Sequence, residues 1–100
     1  MKTSVVYAPE AEAQLIALYF QIAENASPDI ASRYTDAIVE QCESLKTLPI
    51  RGTQRDDIRP GLRVFNFRRR VSIAFEVTGE VVTILGIFYG GQNFEITFDP

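Results

Sequence analysis

The sequence predicts an α+β domain in which a helical hairpin packs on a small, mostly antiparallel sheet, in the order β-α-α-β-β-β. Three observations lead there. Two stretches of the first half repeat apolar residues at helical spacing, each opened by a proline. Three stretches of the second half alternate or run apolar over strand lengths, and a charged connector bearing glycine and proline divides the halves.

From Lys2 to Tyr7 the residues are largely β-branched or aromatic, which suits a short first strand. Pro9 stands where a first helical residue belongs, and Glu10 and Glu12 complement the positive end of the helix dipole. Ala11, Leu15, Leu18, Tyr19 and Ile22 then line one face of a helix reaching about Glu24. The run Asn25-Ala26-Ser27-Pro28 reads as a break and restart, with Ser27 as cap and Asp29 in the new first turn. Ala31, Tyr34, Ile38, Cys42 and Leu45 form the stripe of the second helix, which is expected to stop before Pro49.

Between Arg51 and Gly61 periodicity is lost, and an irregular connector is expected. Leu62 to Phe67, Val71 to Val77 and Val81 to Tyr89 follow as strands, the last two joined by a tight turn at Thr78-Gly79-Glu80. Val81, Val82, Ile84 and Leu85 are apolar on both faces, as in a central strand covered by helices on one side and by a partner or an aromatic layer on the other. After Gly90-Gly91 comes a tail, residues 92–100, in which Phe94, Ile96 and Phe98 alternate with polar neighbours. It is either a further edge strand or packed arm, or a contact arm for a partner or target.

One hundred residues, 46% of them hydrophobic, fit one folded domain spanning residues 1–100. A single cysteine and no apolar leader point to the cytoplasm, and no apolar run approaches the roughly 20 residues of a membrane span. The net charge is −3, yet seven arginines (Arg51, Arg55, Arg59, Arg63, Arg68, Arg69, Arg70) face only Asp56 and Asp57 between Arg51 and Arg70. An acidic protein with one arginine segment suits a defined acidic partner better than nucleic acid, so no direct sequence-specific nucleic-acid binding is expected.

Chemistry is hard to find. The chain has no histidine, no recognisable metal-ligand spacing and no glycine-rich phosphate loop, so neither catalytic residue, metal nor cofactor is expected. Cys42 lies on a helical stripe and is read as a small core hydrophobe. Asp56 and Asp57, flanked by Arg55 and Arg59, are read as a solvated loop with local ion pairs. The run Arg68-Arg69-Arg70 is either a solvated hairpin turn or a carboxylate-recognising patch.

The ordered set Tyr7-Ala8-Pro9-Glu10-Ala11, Ser27-Pro28 with Ala31 and Arg33, Leu48-Pro49-Ile50-Arg51-Gly52, and Arg55 to Arg63 continuing to Val81 to Gly91 resembles the ParE branch of the RelE/ParE toxin superfamily. The resemblance covers nearly the whole chain. It implies a toxin of a type II toxin-antitoxin pair, as in plasmid stabilisation systems, that binds DNA gyrase without chemistry and is held in a hetero-oligomer by a ParD-like antitoxin. That antitoxin would lay an acidic, partly helical segment on Tyr19, Tyr34, Arg63, Arg68, Arg69 and Arg70, leaving Phe94, Ile96 and Phe98 for the target. RelE-like ribosome-dependent messenger-RNA endonucleases share the fold. Arg63 matches one of their basic positions, but Gly90-Gly91-Gln92-Asn93-Phe94 stands where they carry arginine and then tyrosine. Many ParE chains have glycine-glycine-arginine-aspartate at that place, so an inactivated ParE-like protein kept for antitoxin complex formation is a third reading.

Overall fold

The computed structural model describes residues 3–90. In chain order the elements are β1 (Ser4–Tyr7), α1 (Pro9–Asn25), α2 (Pro28–Glu43), a 3-10 turn (Ser44–Lys46), β2 (Thr53–Gln54), β3 (Arg63–Phe67), β4 (Val71–Thr78) and β5 (Val81–Tyr89). The sheet runs β1-β5-β4-β3-β2, with β1 parallel to β5 and every other pair antiparallel.

The local signals explain the helices. Pro9 and Pro28 each occupy the first turn, and the Ser27 hydroxyl accepts the Ile30 amide at 3.1 Å. The second helix ends sooner than its apolar stripe suggests. Ser44 turns its hydroxyl back to the Gln41 carbonyl, and the chain tightens into the 3-10 turn that carries Leu45 into the core.

The main core lies between hairpin and sheet. Ala11, Leu18, Ile38, Cys42 and Leu45 meet Phe65, Phe67, Val71, Ile73, Phe75, Val82, Ile84 and Ile87. Each fully buried side chain the size of Ile73 or Phe75 contributes roughly 1.5–3 kcal/mol, so this layer dominates the folding energy. The opposite face of the sheet carries a smaller cluster, Leu62, Val64, Ala74 and Phe88, over which the connector lays Ile58.

Two findings go beyond the sequence pattern. The connector contains β2, whose Thr53 and Gln54 pair with Val64 and Arg63, so four strands rather than three follow the helices. Gly52 makes this docking feasible, because at φ 75° a Cβ there would lie 2.3 Å from the Val64 carbonyl oxygen. In β5 a bulge leaves Leu85 unopposed, since Ala74 pairs with Gly86 while Phe75 pairs with Ile84. Ile84 and Ile87 therefore both face the helices, whereas Leu85 and Phe88 join the second cluster. β5 lies between β1 and β4 and is apolar on both faces, as expected; on the face away from the helices the Phe88 ring lies on Gly86.

Candidate partner-binding surface

The β3–β4 hairpin ends in a turn in which Arg68 and Arg69 hold φ of 50° and 64°, closed by the Arg70 amide donating to the Phe67 carbonyl at 3.2 Å. Positive φ at both central positions is the type I′ geometry, which matches strand twist but normally selects asparagine and glycine. The Gly90 amide donates to the Arg70 carbonyl at 2.8 Å, tying the turn to the end of β5. Three exposed guanidinium groups thus project from the turn, and among the described residues no carboxylate pairs with any of them.

Arg68 is placed by aromatic rings. Its guanidinium carbon lies 4.8 Å from the centre of the Phe67 ring and 5.8 Å from that of Tyr34. Tyr34 in turn meets Phe67 and Tyr89 edge-on at 5.9 and 6.2 Å. Ile30, Arg33, Tyr34 and Arg68 line a hollow of about 250 Å³. The Tyr34 hydroxyl is buried and has no hydrogen-bond partner among the described residues. Burial pushes the Tyr34 phenol above its ordinary value, Tyr89 adds to the rise, and Arg68 and Arg70 oppose it. A second cleft, of about 290 Å³, opens between α1 and β5 and is lined by Gln14, Ala17, Leu18, Gln21, Ile87 and Tyr89.

The geometry sorts the expected residues. Tyr34, Arg68 and Arg70 come together, and Arg69 stands exposed at the turn. Arg63 faces elsewhere: its Nε donates to the Arg51 carbonyl at 3.1 Å and its guanidinium reaches the Gly52 carbonyl at 3.5 Å, pinning the connector. Tyr19 makes its ring contact with Phe20 on α1. Phe94, Ile96 and Phe98 lie outside the described residues.

The remaining arginines serve the fold. Arg51 donates to the Ser44 hydroxyl at 2.7 Å and to the Gln41 side chain at 2.9 Å while lying over Phe65. Arg55 binds Asp57 through two hydrogen bonds of 3.0 Å, which hold that carboxyl below its ordinary range, and Asp56 accepts from Gln54 and from the Gly61 amide. Arg59 approaches Glu76 at 3.8 Å. Sequence reasoning misses Ile30 and Arg33 as site residues. Their signal is present, since Ile30 lies one helical turn before Tyr34 and Arg33 beside it, at the edge of the core stripe.

Elsewhere the titratable groups look structural. Cys42 is buried, and burial pushes its thiol up to about 12. The Tyr7 hydroxyl donates to Glu43 at 2.9 Å and Lys46 pairs with the same carboxylate at 2.7 Å. Among the described residues no three histidine, cysteine, aspartate or glutamate side chains come together as metal ligands, and no helix is long and apolar enough to cross a membrane.

A helical hairpin on a mostly antiparallel sheet, with a cationic turn beside an aromatic hollow, defines a small α+β domain. Residues 5–94 match the family model described as the ParE toxin of the type II toxin-antitoxin system parDE. The chain is 32% identical over 76 residues to toxin ParE3 of Caulobacter vibrioides, covering 76% of this chain and 75% of that one. A solved structure described as the chromosomal ParDE TA system from P. aeruginosa superposes with a TM-score of 0.77 at 29% identity, over 88% of this chain and 96% of that one. The chain belongs to the ParE toxin family.

Proposed function

We propose that this ParE-type toxin acts by binding DNA gyrase, without turning over a substrate, and that a ParD-like antitoxin neutralises it by occupying the arginine turn and the adjacent hollows. The observation that carries the reading is the hairpin turn itself. Three arginines follow one another through a turn whose two central positions disfavour side chains, unpaired with carboxylates among the described residues and backed by Tyr34 and Phe67. A strained, cationic, preorganised edge is suited to receiving the carboxylates of an acidic segment, with little entropy left to lose on binding.

The cleft between α1 and β5 supports the same reading. Gln14 and Gln21 give it polar walls, and Leu18 and Ile87 give it an apolar floor for a side chain of the incoming segment. Support for binding over catalysis comes from the side chains available. The sequence has no histidine, arginine does not give up its proton near neutrality, and burial makes Tyr34 a weaker acid than a free phenol.

The test is capture by a co-expressed ParD-like antitoxin. Arg69→Glu together with Arg70→Glu is expected to weaken the complex by about tenfold or more at physiological salt, through like-charge repulsion with the acidic segment. Unchanged affinity would show that the turn is merely solvated.

A further inference from the structure

Among the described residues, the Tyr34 hydroxyl is the buried side-chain polar atom left without a hydrogen bond. A phenol held out of water with no partner costs stability, and native proteins leave few such groups without a use. Its ring is fully engaged: it meets Phe67 and Tyr89 edge-on and has the Arg68 guanidinium over it, so turning the phenol out to water would give up that packing. Burial raises the phenol above its ordinary value and Tyr89 adds to the rise, so at neutral pH the group keeps its proton and is a donor without an acceptor.

The surroundings select the acceptor. The hollow of about 250 Å³ beside the ring is lined by Ile30, Arg33 and Arg68 as well as Tyr34 itself. Arg68 has no carboxylate among the described residues, and Arg33 holds Asp29 at 2.8 Å across open surface, with the two side chains 79% and 77% exposed. Such a pair is worth little and is readily exchanged. Two guanidinium groups and a phenolic donor repel a cation, and a carboxylate, unlike an amide, can accept from all three at full charge. We propose that this hollow, between α2 and the β3–β4 turn, is the seat of one aspartate or glutamate side chain of the antitoxin, whose carboxylate accepts from the Tyr34 hydroxyl and pairs with Arg33 and Arg68. The assignment rests on the proposed capture of the toxin by an acidic segment, and adds to it a contact inside the hollow that is separate from those of Arg69 and Arg70. Arg33 and Arg68 are exposed and long, so they adjust around the incoming carboxylate. The antitoxin-free chain thus carries an unpaired donor that its partner satisfies, which makes the free state less stable, and the complex tighter, than phenylalanine at this position would.

Tyr34→Phe keeps the ring and removes the hydroxyl alone. The antitoxin-free variant is expected to unfold at a higher urea concentration than the parent, while its complex with the co-expressed ParD-like antitoxin weakens by about tenfold. A structural role would move both in the same direction. Each aspartate and glutamate of the antitoxin is then changed in turn to its amide. One such change should weaken the parent complex by a similar factor and the Tyr34→Phe complex by less than about twofold, because the two groups share one contact. Arg33→Ala should weaken capture by a smaller factor without the gain in stability. A Tyr34→Phe chain that unfolds at no higher urea than the parent shows the hydroxyl to be satisfied within the chain and overturns the proposal. Equal sensitivity of the parent and Tyr34→Phe complexes to every amide change overturns it as well. Unchanged capture by Tyr34→Phe, with Arg69→Glu and Arg70→Glu together still disruptive, removes this seat alone; unchanged capture by both variants removes the reading beneath it too.

Discussion

Arg68 and Arg69 carry the sharpest conflict between local preference and structure. Each sits at positive φ, where a side chain costs on the order of 1–2 kcal/mol relative to glycine. The double substitution Arg68→Asn with Arg69→Gly, which installs the residue types this turn prefers, should therefore raise unfolding stability by roughly 1–2 kcal/mol in urea while weakening antitoxin capture. A variant no more stable than the parent would mean that the turn is relaxed. Glu43 gives a second prediction at this scale. Its hydrogen bond with Lys46 lowers its pKa against the opposing effect of burial, and Tyr7 lowers it further. A depressed carboxyl pKa contributes stability above the unfolded value, which is lost as pH falls through the folded one. The group is 36% exposed, so screening keeps the contribution small. Glu43→Gln should accordingly lower the melting temperature slightly at neutral pH, with the gap to the parent closing as the solution is acidified below the carboxylate range. A gap that is independent of pH would indicate lost packing instead.

Among the elements, β5 is where the bulge must be made good. Leu85 has no partner across the ladder, and the Ile87 amide is satisfied by the Gln14 side chain of α1, which accepts at 2.7 Å. Gln14→Ala leaves that donor unpaired under the helix and should cost about 1–3 kcal/mol in chemical denaturation, more than an ordinary half-exposed glutamine. A loss within about 0.5 kcal/mol, the usual surface effect, would show that water replaces it. The same strand marks what could be read beforehand. Both helices were legible because proline, serine and the apolar stripes agree, and β4 was legible because Val71, Ile73, Phe75 and Val77 alternate cleanly. In β5 the apolar run was visible but the bulge behind it was not, since inserting one residue changes the phase of the pattern without leaving a composition signal. β2 is two residues long and has no period to detect. For the surface, the arginine excess was plain, but Arg63 and Arg68 are chemically identical in the sequence. Only their three-dimensional neighbours, backbone carbonyls for one and aromatic rings for the other, separate a fastening from an exposed charge. The turn was legible as a break between two strands, but its strain was not, because neither glycine nor asparagine occupies it.

Taken whole, the molecule segregates its charge. Acidic residues outnumber basic ones outside the Arg51–Arg70 segment, while within it four arginines engage oxygen atoms of the fold and the hairpin presents the other three. On the proposed reading such a layout steers a complementary partner to the end of the sheet that carries the β3–β4 turn, and makes the encounter sensitive to salt. Nothing in it requires turnover, so the effect on a target should follow molar ratio. The direct measurement is a titration of antitoxin-free protein into a gyrase supercoiling reaction, alongside a purified translation reaction containing ribosome-bound message. Inhibition of supercoiling that tracks the ratio of toxin to gyrase, with the message intact, is the predicted result. Message cleaved by substoichiometric protein and spared after one side-chain change, or gyrase unaffected at excess toxin, would contradict it.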